Sequence, residues 1–237
     1  MIHKFASADA LAKVVASGWL DEVAKAGPAG APLTVALSGG RITKQFFTEV
    51  VAQCQARHMT LERVYFFWAD ERCVPPTDPE SNFRLASELL FEPLKIGAGQ
   101  INRIAGEEDP ETAAREAGRE LGRIAPANAQ GVPVLDWVFL GMGEDGHVAS
   151  LFPGAGAEVW DCQTPFLVIR HSPKPPPTRI SLSSGAIAAA RQVWVLASGT
   201  GKEQALRDSL APGGMTPLGR VMGLRAETQV FTELPVS

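Results

Sequence analysis

The chain has 237 residues, 45% of them hydrophobic and 20% charged, a balance that excludes a disordered polymer and suits one globular domain over residues 1–237. Lys and Arg number 22 against 26 Asp and Glu, a formal net charge of −4, and no basic run could track a phosphate backbone, so no nucleic-acid partner is expected. No apolar stretch reaches the ~18 residues of a membrane span, Met1 to Gly30 lacks the pattern of a signal peptide, and Cys54, Cys73 and Cys162 form no CxxC pair, so the expectation is a cytoplasmic protein with reduced thiols, no membrane association and no zinc.

Ser7 is placed to cap a helix on which Leu11, Val14, Val15, Trp19, Leu20 and Val23 recur at helical spacing, and Gly27-Pro28 is expected to end it. Leu33 to Leu37 reads as a strand that meets Ser38-Gly39-Gly40 and then a helix through Phe46 and Phe47 to Cys54. The same order repeats with a strand at Val64 to Trp68, the polar group Asp70-Glu71-Arg72, and a helix from Ser81 to Phe91. A short strand at Ile101 to Ile104, a helix at Glu111 to Ile124 and a strand at Leu135 to Leu140 follow. Phe166 to Arg170 and Ile180 to Leu182 read as two more strands, and Val193 to Leu196 runs into Gly199 and a helix from Lys202 to Leu210. Val230-Phe231 reads as a final strand.

Continuous apolar strands alternating with helices predict an α/β fold, a doubly wound, mostly parallel sheet with helices on both faces. Ligands of such sheets sit at the carboxyl ends of the strands. Ser38-Gly40, Asp70-Arg72, Gly141-His147 and Gly199-Lys202 all fall there.

Each of these clusters has a chemical and a plain structural reading. Ser38-Gly39-Gly40-Arg41-Ile42-Thr43 is either a tight strand-to-helix turn or a phosphate cradle, in which glycines admit an anion to the helix amides and Arg41 and Thr43 add donors. Gly199-Thr200-Gly201-Lys202 is not a P-loop, because Leu196 and Glu203 replace its leading glycine and its magnesium-binding hydroxyl. Lys202 at a helix start opposes the helix dipole, which a nearby anion would relieve, although a solvated lysine fits as well. Arg72 belongs either to a structural ion pair or to a site where it faces negative charge on a substrate or oxyanion.

Gly141-Met142-Gly143-Glu144-Asp145-Gly146 matches GxGxxG formally, but two carboxylates inside the loop are incompatible with a pyrophosphate. His147 lies two residues beyond Asp145, a spacing that suits a general base oriented by a carboxylate and also occurs in surface turns. There is no GxSxG elbow and no HExxH, so neither a serine hydrolase nor a zinc hydrolase is expected.

Together, Leu37-Ser-Gly-Gly40, Trp68-Ala-Asp-Glu-Arg72 with Ser81-Asn82, the segment Leu140 to Gly154, Lys174 to Leu182 and Gly199-Thr-Gly-Lys202 resemble the 6-phosphogluconolactonases. The resemblance covers nearly the whole chain. It implies a Rossmann-like fold of the glucosamine-6-phosphate isomerase type and hydrolysis of 6-phospho-D-glucono-1,5-lactone in the oxidative pentose phosphate pathway, with no metal or organic cofactor. It also implies that His147 activates water, Asp145 orients it and Arg72 stabilises the anionic substrate or the tetrahedral oxyanion at C1. Ser38, Gly39, Gly40, Arg41, Thr43, Asp70, Asn82, Arg179 and Lys202 are the substrate-binding candidates. The expected partner is the sugar-phosphate lactone, bound by a monomer or weak homo-oligomer.

The family usually follows the glycine turn with Ser-Thr-Pro, whereas this chain has Arg41-Ile42-Thr43. Two other readings were weighed. Glucosamine-6-phosphate deaminases carry a working glutamate five residues after the histidine, where this chain has Phe152. A non-catalytic sugar-phosphate sensor would need an output module, and no helix-turn-helix segment is evident.

Overall fold

The computed structural model describes residues 1–26 and 30–236, so the expected helix end at Gly27-Pro28 lies outside the described residues. Six strands form one sheet in the order β1-β9-β8-β5-β2-β3, in which β1 is Ile2–Lys4, β2 Leu33–Leu37, β3 Val64–Trp68, β5 Trp137–Gly141, β8 Gln192–Ala197 and β9 Gln229–Thr232. Every pairing in this sheet is parallel. Helices α1 (Ala8–Lys25) and α2 (Arg41–Ala56) pack against each other. Trp19 of α1 and Phe46 of α2 meet Phe139 of β5, which also packs edge-on to Trp194 of β8. This aromatic layer gives the expected doubly wound sheet its apolar cover.

The strand order fixes the place of the cleft. From β2 the chain moves outward to β3, whereas β5 returns to the other side of β2. The sheet therefore reverses its winding between β2 and β5, and a crevice opens beyond the carboxyl ends of those two strands. Ser38-Gly40 and Gly141-Gly143 are the residues found there.

A second sheet departs from the sequence expectation. Asp70–Arg72 is a strand of its own, β4, in a three-stranded antiparallel sheet with β7 (Arg179–Leu182) and β6 (Phe166–Ile169). Only Ala69 separates β3 from β4, and it bridges both layers, its N–H donating to Leu37 O and its carbonyl accepting from Leu182 N. β6 is a continuous apolar run, and β7, in which Arg179 and Ser181 alternate with Ile180 and Leu182, is four residues long and buried throughout, too short a pattern to mark an antiparallel strand. α5 (Pro110–Ile124) packs against this small sheet.

Smaller differences concern local elements. Ile101–Ile104 makes only an isolated bridge from Ile101 to Phe66. The helix after Ser81 is α3 (Asn82–Ala86), which passes through a π-helical turn at Ser87–Phe91 into α4 (Glu92–Leu94). β1, α6 (Ala157–Trp160), α7 (Ser184–Ala189) and α9 (Pro217–Gly223) were not expected. All four are short, and their patterns span too few residues to establish a period. The helix after Gly201 is α8 (Glu203–Leu210), with Lys202 at its N-cap.

Candidate active site

The cleft at the switch point is lined by the glycine turn and Arg41, by Asp70 and Arg72 of β4, by Gly141 to Gly143, and by His147, Arg179 and Lys202. Two sheets and three loops thus bring most of the candidates together.

The glycine turn owes its shape to backbone freedom and close packing. Gly40 has φ 107° and caps α2 without a side-chain hydrogen bond, and the first turn of α2 contains no acidic residue. The amides at the start of α2 therefore lack an intrahelical partner, a ready place for an anion. Ser38 lines the cleft, but its hydroxyl donates to Phe139 O at 2.7 Å. Thr43 is buried, donates to Gly39 O at 2.9 Å and is not part of the cleft lining. Its hydroxyl closes the first turn of α2, so the expectation that Thr43 meets substrate is not supported.

His147 and Asp145 form a tight pair. His147 Nδ1 lies 2.5 Å from Asp145 Oδ1, which also accepts the His147 backbone N–H at 3.2 Å. Gly143 has to lack a side chain here, since a Cβ would overlap the imidazole. The Phe152 ring packs 4.7 Å from the imidazole, centroid to centroid. Burial pushes the His147 pKa below 6.5 despite the opposing effect of Asp145. Burial alone would raise Asp145, but its hydrogen bond from His147 and the imidazole charge outweigh that and leave it below 3.8. At neutral pH the pair is an imidazole beside a carboxylate, with Nδ1 engaged and Nε2 left to take a proton.

The small sheet supplies the opposite wall. Arg72 and Arg179 are register partners on β4 and β7, which places two guanidinium groups side by side. Arg72 Nη1 donates to Glu80 O at 2.7 Å and pairs with Glu80 Oε2 at 3.3 Å, while its buried Nε has no partner among the described residues. Arg179 is almost wholly engaged, with donors to the carbonyls of Lys174, Pro175 and Pro176. Burial lowers its pKa, and the neighbouring Arg72 adds to the effect. Arg179 thus stands with Arg72 and clamps the proline-rich loop, rather than standing with Lys202.

Asp70 and Asn82 work beneath the surface. Asp70 accepts from Ser150 Oγ at 2.6 Å and from Asn82 Nδ2 at 3.2 Å, and lies 3.9 Å from Arg179. Asn82 is buried and is not part of the cleft lining, so its expected substrate contact gives way to a role in holding Asp70. The sequence reading missed Glu71, whose buried carboxylate accepts the backbone N–H groups of Arg72, Asn82 and Phe83 and the Ser81 hydroxyl. Burial pushes the Glu71 pKa up against those bonds. It also missed Ser150. Neither partner set has a sequence signal, because the donors come from separate segments.

Lys202 and Arg41 also line the cleft and are close enough to interact. Burial lowers the Lys202 pKa, the Arg41 charge lowers it further, and Glu144 and Glu233 oppose both. Two cations and an uncapped helix start therefore share one crevice with the His147 imidazole and Arg72. No group of His, Cys, Asp and Glu suited to a metal occurs among the described residues.

This architecture matches known proteins along nearly its entire length. Residues 6–230 match the family model for glucosamine-6-phosphate isomerases and 6-phosphogluconolactonase. A 6-phosphogluconolactonase of Treponema pallidum is 38% identical over 174 residues, covering 73% of this chain and 70% of the relative. One from Streptomyces coelicolor is 32% identical over 210 residues, covering 86% and 80%. The solved 6-phosphogluconolactonase of Trypanosoma brucei superposes with a TM-score of 0.84 at 28% identity, over 99% of this chain and 95% of that one. On this evidence the chain belongs to the family of glucosamine-6-phosphate isomerases and 6-phosphogluconolactonases.

Proposed function

We propose that residues 1–237 act as a single hydrolase domain that opens 6-phospho-D-glucono-1,5-lactone to 6-phospho-D-gluconate in the oxidative pentose phosphate pathway. The observation that carries this reading is the His147–Asp145 pair in a cleft that Arg41, Lys202 and the glycine turn before α2 also line. The similarity to enzymes named 6-phosphogluconolactonase supports the substrate.

The phosphate is held by Arg41, Lys202 and the amides after Gly40, which brings the lactone carbonyl next to His147. Water attacks C1 as His147 Nε2 takes its proton, and the carbonyl π electrons move to oxygen. The oxyanion is stabilised by the charge of Arg72, which lines the cleft. Collapse restores the carbonyl and breaks the bond from C1 to the ring oxygen. The imidazolium returns its proton to that oxygen, and the new carboxylic acid ionises in water. Asp145 stays ionised throughout, fixing the tautomer and offsetting the imidazolium charge.

Phe152 supports hydrolysis over isomerase or deaminase chemistry. It packs on His147, and the Arg179 guanidinium lies 5.6 Å from its ring centroid, where a second acid or base would be required. The reading includes a sugar-phosphate lactone as sole small-molecule partner, no organic cofactor, a cytoplasmic location and a monomer or weak homo-oligomer. Among the described residues no helix is long and apolar enough to cross a membrane.

The test is a stopped-flow assay in which the lactone is generated in situ and its opening is followed for wild type, His147→Ala and a protein-free blank. Wild type faster than the blank, with folded His147→Ala close to it, supports the proposal. Wild type equal to the blank overturns it.

A further inference from the structure

The chemistry above leaves the C-terminal segment after β9 without a role, yet that segment is firmly placed. Thr232 accepts the N–H of Phe5 on its carbonyl at 2.9 Å and the N–H of Leu234 on its hydroxyl at 3.0 Å, and Leu234 and Val236 are buried. Between Thr232 and Leu234, Glu233 Oε1 accepts the Ser198 hydroxyl at 2.8 Å and the Gly199 N–H at 2.9 Å. Its Oε2 is buried and has no hydrogen-bond partner among the described residues.

The loop that Glu233 grips needs an external hold. Gly199 and Gly201 have φ 98° and 86°, a conformation that glycine enters readily and also leaves readily. Lys202 follows immediately as the N-cap of α8, with no side-chain capping bond. Among the described residues no loop side chain bonds within the turn, whereas Glu233 fastens Ser198 and Gly199 from more than thirty positions away.

We propose that Glu233 is a positioning residue for the sugar-phosphate anchor: its carboxylate holds the Ser198–Gly201 turn so that Lys202 lines the same cleft as Arg41 and Ser38-Gly40. Glu233 touches no substrate and acts through Gly199 and Lys202. The charge pattern agrees with this role, because Glu233 and Glu144 favour the ammonium form of Lys202 while burial, Arg41 and Lys174 disfavour it. Arg41 stands where the family usually has a serine, so this chain places an additional cation beside Lys202 and gains more from a fixed carboxylate behind it. Glu233 lies beyond the residues 6–230 that match the family model.

The inference takes the identity of the anion from the lactonase reading, and its test separates the two. Binding of inorganic phosphate by calorimetry, and KM and kcat for lactone opening, are compared for wild type, Glu233→Ala and Glu233→Gln. Loss of a charge-assisted bond predicts that Glu233→Ala raises both the phosphate Kd and KM by about ten-fold, with kcat changed by less than about two-fold. Glu233→Gln, which keeps an acceptor for Ser198 and Gly199, recovers most of that loss. If Glu233→Ala does not fold, Ser198→Ala removes one of the two bonds and is expected to raise Kd by roughly three-fold. Unchanged Kd and KM in the folded variants, or a fall in kcat alone, overturns the proposal and leaves the lactonase reading standing. If wild type binds phosphate, Glu233→Ala weakens that binding and no form accelerates lactone opening, the anchor stands and the lactonase reading falls.

Discussion

Gly39 and Asn82 pack so closely that a Cβ on Gly39 would overlap the Asn82 side-chain amide. Asn82 in turn donates to the carbonyl and carboxylate of Asp70. The contact joins the turn after β2 to the small sheet, and so couples the two walls of the cleft. Gly39→Ala must displace Asn82 and is expected to destabilise the fold by ~1–3 kcal/mol, the ordinary cost of overpacking a tight site. Adding Asn82→Ala removes the overlap and should restore part of the loss, although Asp70 then keeps the Ser150 donor and loses the one from Asn82. Urea denaturation midpoints of both forms check this, and a fully stable Gly39→Ala would contradict the packing.

His147→Ala removes the proposed base and should lower kcat by about 10²–10⁴-fold, the usual range for a lost general base. Asp145→Asn keeps a side chain of similar shape but no longer compensates an imidazolium, so a smaller but still large fall in kcat is expected, with KM little changed. Steady-state kinetics on both variants, with melting curves to verify folding, provide the comparison.

The pH dependence follows from the direction of the His147 shift. Its pKa in the folded protein is below 6.5 because burial disfavours the charged form, so the base is unprotonated and kcat/KM level at neutrality. Activity should fall as pH drops through that lowered pKa, with an inflection below 6.5 rather than above it. Because Asp145 raises the His147 pKa, Asp145→Asn should move the inflection to still lower pH. An inflection above 6.5, or a shift upward in the variant, would contradict the assignment.

Arg41→Ser tests whether this chain uses Arg41 as an anion contact. Arg41 lowers the Lys202 pKa by its charge, so the two cations share one neighbourhood, and a bound phosphate would engage both. The variant should raise KM several-fold, up to about ten-fold for a lost charge-assisted bond, and leave kcat near wild type. It should also reduce the dependence of KM on salt concentration. A KM equal to wild type would mean that Arg41 points to solvent.

The main alternation of strands and helices was legible in the sequence because the parallel strands are continuous apolar runs bounded by glycine or polar turns. Leu33–Leu37, Val64–Trp68 and Gln192–Ala197 are such runs. His147 was legible as well, since its carboxylate partner is only two residues away. The second sheet was not, because β6 and β7 are buried on both faces and a sequence pattern does not record strand direction.

The same distinction applies within the site. Residue type and local spacing marked Asp145, His147, the glycine turns and the cationic side chains as candidates, and the family resemblance is what assigned them roles. Which of these side chains remain available was decided by tertiary structure. Thr43 and Ser38 have their hydroxyls engaged by backbone carbonyls, Asn82 is committed to Asp70, and Arg179 to three carbonyls of its neighbouring loop. Hydrogen-bonding capacity is finite and is divided among whatever the fold brings near, and Glu71, Ser150 and Glu233 find partners that only the folded chain places within reach.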